Sequence, residues 1–271
     1  MLIAQLTDTH ITPPGKLAYG VVDTAAYLAR AVAEIEALLP RPDLVALTGD
    51  LVDKGTAEEY ELLRALLAPL SMPFFAIPGN HDSREAMRAA FAGDGYLPRE
   101  GFLDFTVEDW PLRIIGLDTL VPGAGGGTLR GEQLRWLAGS LAAAPDRPSV
   151  ILMHHPPFRT GFAAMDRIGL SGSAELAEIV RAHVSVERIL CGHLHRAIDS
   201  RFAGTVAGTA PSTAHQLLLD LEPDSPSSHF VMEPAGYQLH RWDAAGGLVT
   251  HTAVVGAYPG PYPFTGVAWL R

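Results

Sequence analysis

Aspartate, asparagine and histidine residues follow five apolar segments of the sequence, each at the point where the segment ends. They occur in the motifs TDTH (7–10), TGDLVD (48–53), GNHD (79–82), MHHPP (153–157) and CGHLH (191–195), in that order. These side chains offer imidazole nitrogens and carboxylate or amide oxygens, a ligand set without thiolate that suits Zn, Mn, Fe or Co. The motifs predict a metal site if the fold brings the five segment ends together.

Each motif taken alone also has a structural interpretation. An Asp after a strand, such as Asp8 or Asp50, commonly forms a turn or caps a helix, and Gly-Asn is a turn signal. Five such ends in order, none carrying a competing Lys, favour metal binding over these interpretations. Alternate residues of an extended chain point the same way, so His193 and His195 can reach neighbouring metal positions.

Strand-like and helical segments alternate over about the first two hundred residues, which is typical of an α/β fold. Strands are predicted in LIAQLTD, DLVALTGD, PFFAIPGN, FLDFTVED, LRIIGLDT, SVILMHH and ERILCGH. Helices are predicted over Asp23–Leu39 with Asp23 as the cap, over Ala57–Leu67, and near Arg84–Phe91, Glu132–Leu141 and Ala174–Ala182. Because ligands of α/β folds bind at the carboxyl ends of strands, the five motifs can converge.

The character of the chain changes after about Arg201. Gly, Pro and Ser turns separate short segments, HQLLLDL, GYQLHRW and LVTHTAVV, which predict antiparallel hairpins. The tail GAYPGPYPFTGVAWLR is too rich in proline for a central strand and too aromatic for a linker, so we expect it to pack on its own domain or on a partner subunit. We therefore divide the chain into a catalytic domain, 1–205, and a β-rich extension, 206–271.

Composition excludes several classes of protein. The 271 residues carry a net charge of −10 without clustered Lys and Arg, which disfavours a nucleic acid polymer as partner. The apolar segments are far shorter than a bilayer span, and no secretory signal is legible, so we expect no membrane association and a cytoplasmic location. The single cysteine, Cys191, excludes an internal disulfide and is interpreted as a buried, inert thiol.

The segments DTH, GDLVD, GNHD, HHPP and GHLH, in this order, resemble the five blocks of the calcineurin-like metallophosphoesterase superfamily. The similarity extends over the whole chain to its branch of class III cyclic-nucleotide phosphodiesterases and glycerophosphodiesterases, through KLAYG (16–20), Met165–Asp166 and AHQLLLD (214–220). The resemblance implies an α/β fold, a four-layer αββα sandwich around a binuclear metal centre, with a small C-terminal β-rich cap or dimerisation extension.

The resemblance also implies a ligand set for two divalent ions, which could be Mn, Fe, Zn or Co. One ion would be held by Asp8, His10 and His195, the other by Asn80, His154 and His193, and Asp50 would bridge the two. Two cations that share a solvent molecule lower its pKa and can supply hydroxide near neutral pH. We therefore expect in-line hydrolysis of small phosphodiesters, either 3′,5′-cyclic nucleotides or glycerophosphodiesters.

Further residues are candidates for roles beside the metals. His81, which is not a ligand in the family pattern, could contact the phosphoryl oxygens or protonate the leaving alkoxide, or it could support the site through Asp82. His155 could support a metal ligand or pack beneath the Pro-Pro turn. His215 and Tyr19 correspond to positions that face the substrate, although strand and loop packing would also account for them.

Other functions stay open on the same residues. A phosphomonoesterase or phosphonate ester hydrolase could use the same centre, while a nuclease is disfavoured by the acidic charge balance. A non-enzymatic, metal-bound scaffold is expected to have lost ligands, and this chain retains them. We expect a homo-oligomer, either a dimer or an assembly of dimers.

Overall fold

The structure is a computed structural model that describes residues 1–223, 225 and 228–263. In chain order its elements are β1 (Leu2–Leu6), α1 (Thr24–Glu36), β2 (Leu44–Thr48), α2 (Ala57–Leu67), β3 (Phe74–Ile77), α3 (Arg84–Ala90), a 3₁₀ turn (Ala92–Asp94), β4 (Phe105–Val107), β5 (Arg113–Leu117), β6 (Gly127–Thr128), α4 (Gly131–Ala142), β7 (Ser149–Met153), α5 (Ala163–Asp166), β8 (Leu170–Ser171), α6 (Ser173–Ala182), β9 (Val186–Cys191), β10 (Ile198–Phe202), β11 (Thr205–Thr209), β12 (Gln216–Leu217), β13 (Phe230–Val231), β14 (Gly236–Asp243) and β15 (Gly247–Val254).

Two larger sheets carry the fold. The first has the strand order β15-β14-β1-β2-β3, and the second has the order β10-β11-β9-β7-β5-β4. The neighbours β1, β2 and β3 run parallel, as do β5, β7, β9 and β11, whereas β14, β15, β4 and β10 pair antiparallel at the edges. The strands that precede the five motifs are therefore neighbours within their sheets, and their carboxyl ends meet at one edge.

Three apolar clusters separate the layers. Ala4 and Leu6 of β1 pack with α1, α2 and α3 on one side of the first sheet. Ile3, on the opposite face of β1, packs against Val150 and Leu190 of the second sheet. The outer face of the second sheet packs against α4 and α6. The predicted α/β fold is therefore confirmed, and β1 and β2 are buried along almost their whole length.

The helices begin where the sequence supplies caps. The Asp23 side chain accepts a hydrogen bond from the Ala26 amide at the start of α1. Thr56 and Glu59 form a reciprocal capping box at the start of α2, which fixes that helix at the predicted bounds. The prediction for the first helix was too long at its C-terminal end: α1 ends at Glu36 and not at Leu39.

The C-terminal part of the chain adds strands to both sheets. Strand β11 joins the second sheet, and the β14–β15 hairpin extends the first sheet beside β1. Of the predicted strand HQLLLDL, only Gln216–Leu217 is a strand, and Leu219 and Leu221 are exposed. The prediction for the tail falls partly on 264–271, which lie outside the described residues. None of the helices in the described ranges combines the length and the apolar character that a bilayer crossing requires.

Candidate metal centre

The motif residues occupy an unusual backbone conformation. Asp8, His10, Asp50, His193 and His195 have φ of 51°, 42°, 48°, 72° and 48°, in the left-handed region that non-glycine residues seldom adopt. Such conformations cost on the order of 1 kcal/mol each and cluster at functional sites. They turn the chain sharply after β1, β2 and β9, so that these side chains face one another.

One group of ligand atoms lies between Asp8 and Asp50. The His10 Nε2 atom is 3.6 Å from Oδ2 of Asp50 and 3.1 Å from Nε2 of His195. The His195 Nε2 atom is in turn 3.4 Å from Oδ1 of Asp8. The structure therefore brings together the three side chains predicted for the first metal, and two of them, Asp8 and His10, group with the predicted bridging carboxylate.

A second group lies on the other side of Asp50. The His154 Nε2 atom is 3.4 Å from Oδ2 of Asp50 and 3.2 Å from Oδ1 of Asn80. The ring of His193 packs against that of His154 with centroids 5.1 Å apart. The same carboxylate oxygen of Asp50 therefore faces an imidazole nitrogen of each group.

Backbone carbonyls set which ring nitrogen of each histidine is free. Nδ1 of His154 lies 2.9 Å from the Thr48 carbonyl, Nδ1 of His195 lies 3.0 Å from the His215 carbonyl, and Nε2 of His193 lies 3.2 Å from the Ile168 carbonyl. A carbonyl only accepts, so each of these nitrogens donates its proton, and in the neutral ring the other nitrogen keeps a lone pair. These unprotonated nitrogens suit metal ligation, and the residues present fit a cation.

Burial and charge shape the ionisation of the cluster. Burial raises the pKa of Asp8 to about 6, and it lowers the pKa of His193 to about 3 with a further contribution from His154. Burial opposes charge on Asp50 as well, but neighbouring histidines, His154 first, hold the pKa of that carboxyl below its usual range. Burial opposes charge on His154, but the Asp50 and Asp8 carboxylates raise the pKa of its imidazole to about 9. A divalent cation bound here would replace that proton.

Two glycines allow the motif loops to approach closely. A Cβ on Gly79 would lie 2.2 Å from Oδ1 of Asp50, and one on Gly192 would lie 2.2 Å from Oγ1 of Thr7. No side chain fits at either position without displacing the neighbouring loop. The glycines of GNHD and CGHLH therefore have a packing role that the turn interpretation alone did not predict.

His81 lies at the mouth of the centre. Its backbone amide donates to Oδ1 of Asp50 at 2.9 Å, and its Nδ1 donates to the Asp53 carbonyl at 2.9 Å, which leaves Nε2 free. Its side chain is 30% exposed, whereas those of His10 and His154 are buried. Asp82 instead accepts hydrogen bonds from the amides of Gly79 and Leu51 and from the Tyr60 hydroxyl. Asp82 therefore supports the site by holding the loops that carry Asn80 and Asp50.

His155 is held on both ring nitrogens. Nδ1 is 2.8 Å from the Thr119 hydroxyl and Nε2 is 3.1 Å from the Gly125 carbonyl, and its ring lies 4.5 Å from that of His193. His155 falls in a group with His154 and His193 that could hold a metal ion. Because its two nitrogens are occupied, the contacts favour packing beside His193 over direct ligation.

A pocket of about 250 Å³ opens over the centre. Its floor includes His10, Asp50, Asn80, His81, His193 and His195, and its walls include Tyr19, Met165, Ile168, Leu194, His215, Leu217 and Phe230. Tyr19 lies edge-on to His215 at 5.2 Å and beside Phe230 at 5.0 Å. His215 also groups with His10 and His195, so that its ring lies next to the ligands and not apart from them.

Sequence reasoning gave no role to several residues of this site, Asp53 and Phe230 among them. Asp53 was quoted within TGDLVD without a role, yet its Oδ1 lies 3.7 Å from Nδ1 of His10 and 3.8 Å from Nδ1 of His81. The carboxylate at the end of that motif could have signalled it. Phe230 lies in a segment with no pattern of its own, and only the hairpin β12–β13 places it at the pocket.

Comparisons with known proteins agree with this geometry. A family model described as calcineurin-like phosphoesterase matches residues 1–197. The chain is 41% identical over 265 residues to a protein of Arcobacter nitrofigilis named probable glycerophosphodiester phosphodiesterase GpdQ, with 97% of both chains covered. It is 33% identical over 216 residues to the 3′,5′-cyclic adenosine monophosphate phosphodiesterase CpdA of Pseudomonas aeruginosa, with 80% of this chain and 77% of the relative covered.

Among solved structures, a dimetal phosphatase from Danio rerio superposes with a TM-score of 0.61 over 94% of this chain and 99% of the other, at 16% identity. That similarity concerns the fold, whereas the family match, over residues 1–197, spans all five motifs. The chain belongs to the calcineurin-like phosphoesterase family.

Proposed function

We propose that the protein is a phosphodiesterase that uses two divalent metal ions to hydrolyse small phosphodiesters. The observation that carries the proposal is the position of Asp50, whose Oδ2 lies 3.6 Å from Nε2 of His10 and 3.4 Å from Nε2 of His154. A buried carboxylate between two groups of nitrogen and oxygen ligands suits a bridging role. Asp8, His10 and His195 would hold one ion, and Asn80, His154 and His193 the other, while Mn, Fe, Zn and Co all suit such ligands.

Paired metal ions would supply an activated water and neutralise charge on the phosphoryl oxygens. The chain supplies the remaining chemistry through His81. The Asp53 carbonyl fixes the His81 ring, and the free Nε2 is available to a phosphoryl oxygen or to the leaving alkoxide. Protonated at Nε2, it would donate a hydrogen bond or a proton there, which is general acid catalysis.

The pocket supports a diester over a monoester. Among the described residues that line it, none is Lys or Arg. A phosphomonoester carries up to two negative charges at neutral pH and gains from such cations, whereas a diester carries one charge and has a second alcohol group to place. The apolar walls at Tyr19, Leu217 and Phe230 offer that group a surface. The relatives named for glycerophosphodiesters and for cyclic AMP indicate the two substrate classes to compare.

The test is hydrolysis of bis(p-nitrophenyl) phosphate with added Mn²⁺ by the wild type and by Asp50→Ala. We expect Asp50→Ala to lose activity by a factor of about a hundred or more, because neither ion keeps its shared ligand. Asp146→Ala, which changes an exposed carboxylate in a turn, serves as the control and should match the wild type. Equal rates for Asp50→Ala and the wild type would remove the bridging role.

The substrate class requires a panel of substrates under several metals. It should include cyclic AMP, glycerophosphoethanolamine, glycerophosphocholine and the monoester p-nitrophenyl phosphate. We expect kcat/KM to be higher for the diesters than for the monoester. A monoester preference under every metal would favour the phosphomonoesterase alternative.

We also propose a homo-oligomer, a dimer or an assembly of dimers, with residues of 206–271 in the interface. Exposed apolar side chains in this range include Leu219, Leu221, Met232, Val249, Tyr258 and Tyr262, which supports the proposal. Light scattering of the full chain across a range of concentrations tests it. A monomer at every concentration would contradict it.

A further inference from the structure

A buried polar side chain crosses the space between the two sheets beneath the metal-binding loops. Gln5 lies on β1, three residues before Asp8, and is completely buried. Its neighbour on the same face, Ile3, packs in the apolar layer between the sheets. A glutamine amide in such a layer is tolerated only when its hydrogen bonds are satisfied.

The amide group of Gln5 joins three strands at their carboxyl ends. Its Nε2 donates to the Thr48 hydroxyl and to the Cys191 carbonyl, each at 2.9 Å. Thr48 is the last residue of β2, two residues before Asp50, and Cys191 is the last residue of β9, two residues before His193. One side chain therefore links the strand that bears Asp8 to the strand ends that lead to Asp50 and His193.

The side-chain oxygen of Gln5 is also hydrogen-bonded. Its Oε1 accepts from Nε2 of His240 at 2.9 Å, and Nδ1 of His240 accepts from the Thr250 hydroxyl at 2.8 Å. Because the Cys191 carbonyl can only accept, the amide nitrogen must face it and the oxygen must face His240. The orientation of Gln5 is thus determined by its partners, and all its polar atoms are paired.

Thr48 continues this link to a candidate metal ligand. Its hydroxyl receives the Gln5 amide, and its carbonyl accepts from Nδ1 of His154 at 2.9 Å and from the Thr7 hydroxyl at 3.2 Å. A shift of the end of β2 therefore moves the group that orients the His154 ring. In metal sites, partners of this kind fix the ring of the ligand and tune its affinity.

We propose that Gln5 is a positioning residue that holds the ends of β2 and β9 at the spacing that the metal-binding side chains require. Without its amide, the buried Cys191 carbonyl and the Thr48 hydroxyl each lose a partner, and the two strand ends lose their shared link. The positions of the Asp50 and His193 side chains relative to each other are then less well defined. The inference rests on the proposed metal centre, and its test distinguishes a failure of the role of Gln5 from a failure of the metal centre itself.

The test compares Gln5→Met with Gln238→Met in the full chain. Gln238 is a matched control, because it lies directly opposite Gln5 in the β1–β14 ladder and is also buried. Its amide contacts are 3.5 Å long and reach Thr209 and Thr252, which do not belong to the five motifs. Methionine keeps the length of glutamine and removes its hydrogen bonds.

The readout is the dissociation constant for Mn²⁺, measured by calorimetry well below the unfolding temperature of each variant. We expect it to rise about tenfold for Gln5→Met and to stay unchanged for Gln238→Met, although both substitutions lower Tm. A merely structural role of Gln5 would lower Tm without this difference in metal affinity.

Equal dissociation constants for the two variants would overturn the inference and leave the metal centre intact. A wild type that binds no Mn²⁺, Zn²⁺ or Co²⁺ would overturn the metal centre, and the inference with it. If Gln5→Met does not fold, Thr48→Val carries the same test, because it removes the hydroxyl that accepts the Gln5 amide. A dissociation constant equal to that of the wild type would then overturn the inference.

Discussion

The Nε2 atoms of His10 and His195 lie 3.1 Å apart, although 185 positions separate the two residues in the chain. Because His195 donates its Nδ1 proton to the His215 carbonyl, its Nε2 presents a lone pair to His10. Two imidazoles that face each other in this way, with the Asp8 carboxylate 3.4 Å from His195, would be stabilised by a shared cation.

Metal binding should therefore stabilise the fold. We expect Mn²⁺ at a hundred times its dissociation constant to add about 2.7 kcal/mol to the free energy of unfolding, relative to protein treated with a chelator. Differential scanning calorimetry at several metal concentrations measures the rise in Tm. Asp50→Ala is the control and should lose most of the rise. The same Tm with chelator and with each metal would contradict the prediction.

His81→Ala should impair turnover far more than metal content. His81 approaches the centre through its backbone amide, which the substitution keeps, so the loop that carries Asn80 stays attached to Asp50. Loss of the Nε2 group should lower kcat by a factor of about 10²–10⁴. Metal analysis beside steady-state kinetics separates the two effects, with the exposed His251 changed to Ala as the control. Loss of metal in His81→Ala would show that its role is wrongly assigned.

Gly79→Ala should disrupt the bridge at Asp50. The added methyl group would lie 2.2 Å from Oδ1 of Asp50, so either the carboxylate or the GNHD loop must move. We expect weaker metal binding and at least a tenfold loss of kcat, because a displacement of about 1 Å is costly in a preorganised site. Gly93→Ala meets no atom within 4 Å and should behave as the wild type. Normal metal affinity in Gly79→Ala would be inconsistent with this geometry.

Phe230→Ala should change substrate binding more than the chemical step. Its ring lies 5.3 Å from that of His215 and 5.0 Å from that of Tyr19, at the pocket wall. We expect KM for cyclic AMP to rise by a factor of about three to ten, as the loss of one aromatic contact predicts, with kcat within about twofold. Met232→Ala, in an exposed residue outside the pocket lining, is the control. A fall in kcat at constant KM would place Phe230 in the reaction itself.

Asp104 should make stability depend on pH. Burial, with a smaller contribution from Asp118, raises the pKa of Asp104 to about 6, above the value near 4 of an unfolded chain. The folded protein therefore binds this proton more tightly, and the contribution of the protonated group is lost as the pH rises through about 6. The free energy of unfolding of Asp104→Asn, relative to that of the wild type, should rise by on the order of 2 kcal/mol from pH 4 to pH 7.5.

Urea unfolding at the two pH values measures this difference. The side-chain oxygen of the Asp104→Asn variant can still accept from the Asp118 amide and from Nε2 of Gln133, which donate to Oδ1 of Asp104 at 2.8 Å and 3.0 Å. The contact of Gln133 with Oδ2 is lost at both pH values, so the pH-dependent part of the difference reports the charge. A difference between wild type and variant that does not change with pH would contradict the raised pKa.

The features that the sequence predicted are those with a local signal. Helix α2 lies at its predicted bounds because Thr56 and Glu59 cap it and its apolar residues repeat at helical spacing. The candidate ligands were found because each follows an apolar strand and because few other roles require Asp, Asn and His at five strand ends. Their mutual distances confirm the predicted convergence, while their individual roles stay predictions.

The features that escaped prediction depend on strand pairing. HQLLLDL has the composition of a strand, but only Gln216–Leu217 finds a partner, in the short β13. Gln5 is a single polar residue in the apolar segment LIAQL, and its partners Cys191 and His240 lie 186 and 235 positions away. No local pattern reveals a contact of that range, because it depends on the packing of one sheet on the other.

The place of β1 in the first sheet has a consequence for folding. β1 leads directly into Asp8 and His10, and it pairs with β2 on one side and with β14 on the other. During synthesis the edge toward β14 stays open until residues 236–243 have left the ribosome, about 230 residues after β1 itself. Until then the first two candidate ligands follow an exposed edge strand, which is vulnerable to pairing with other chains. The strand that leads into these candidate ligands therefore gains its second partner only late in synthesis, and nascent chains that stall before β14 should be prone to aggregation.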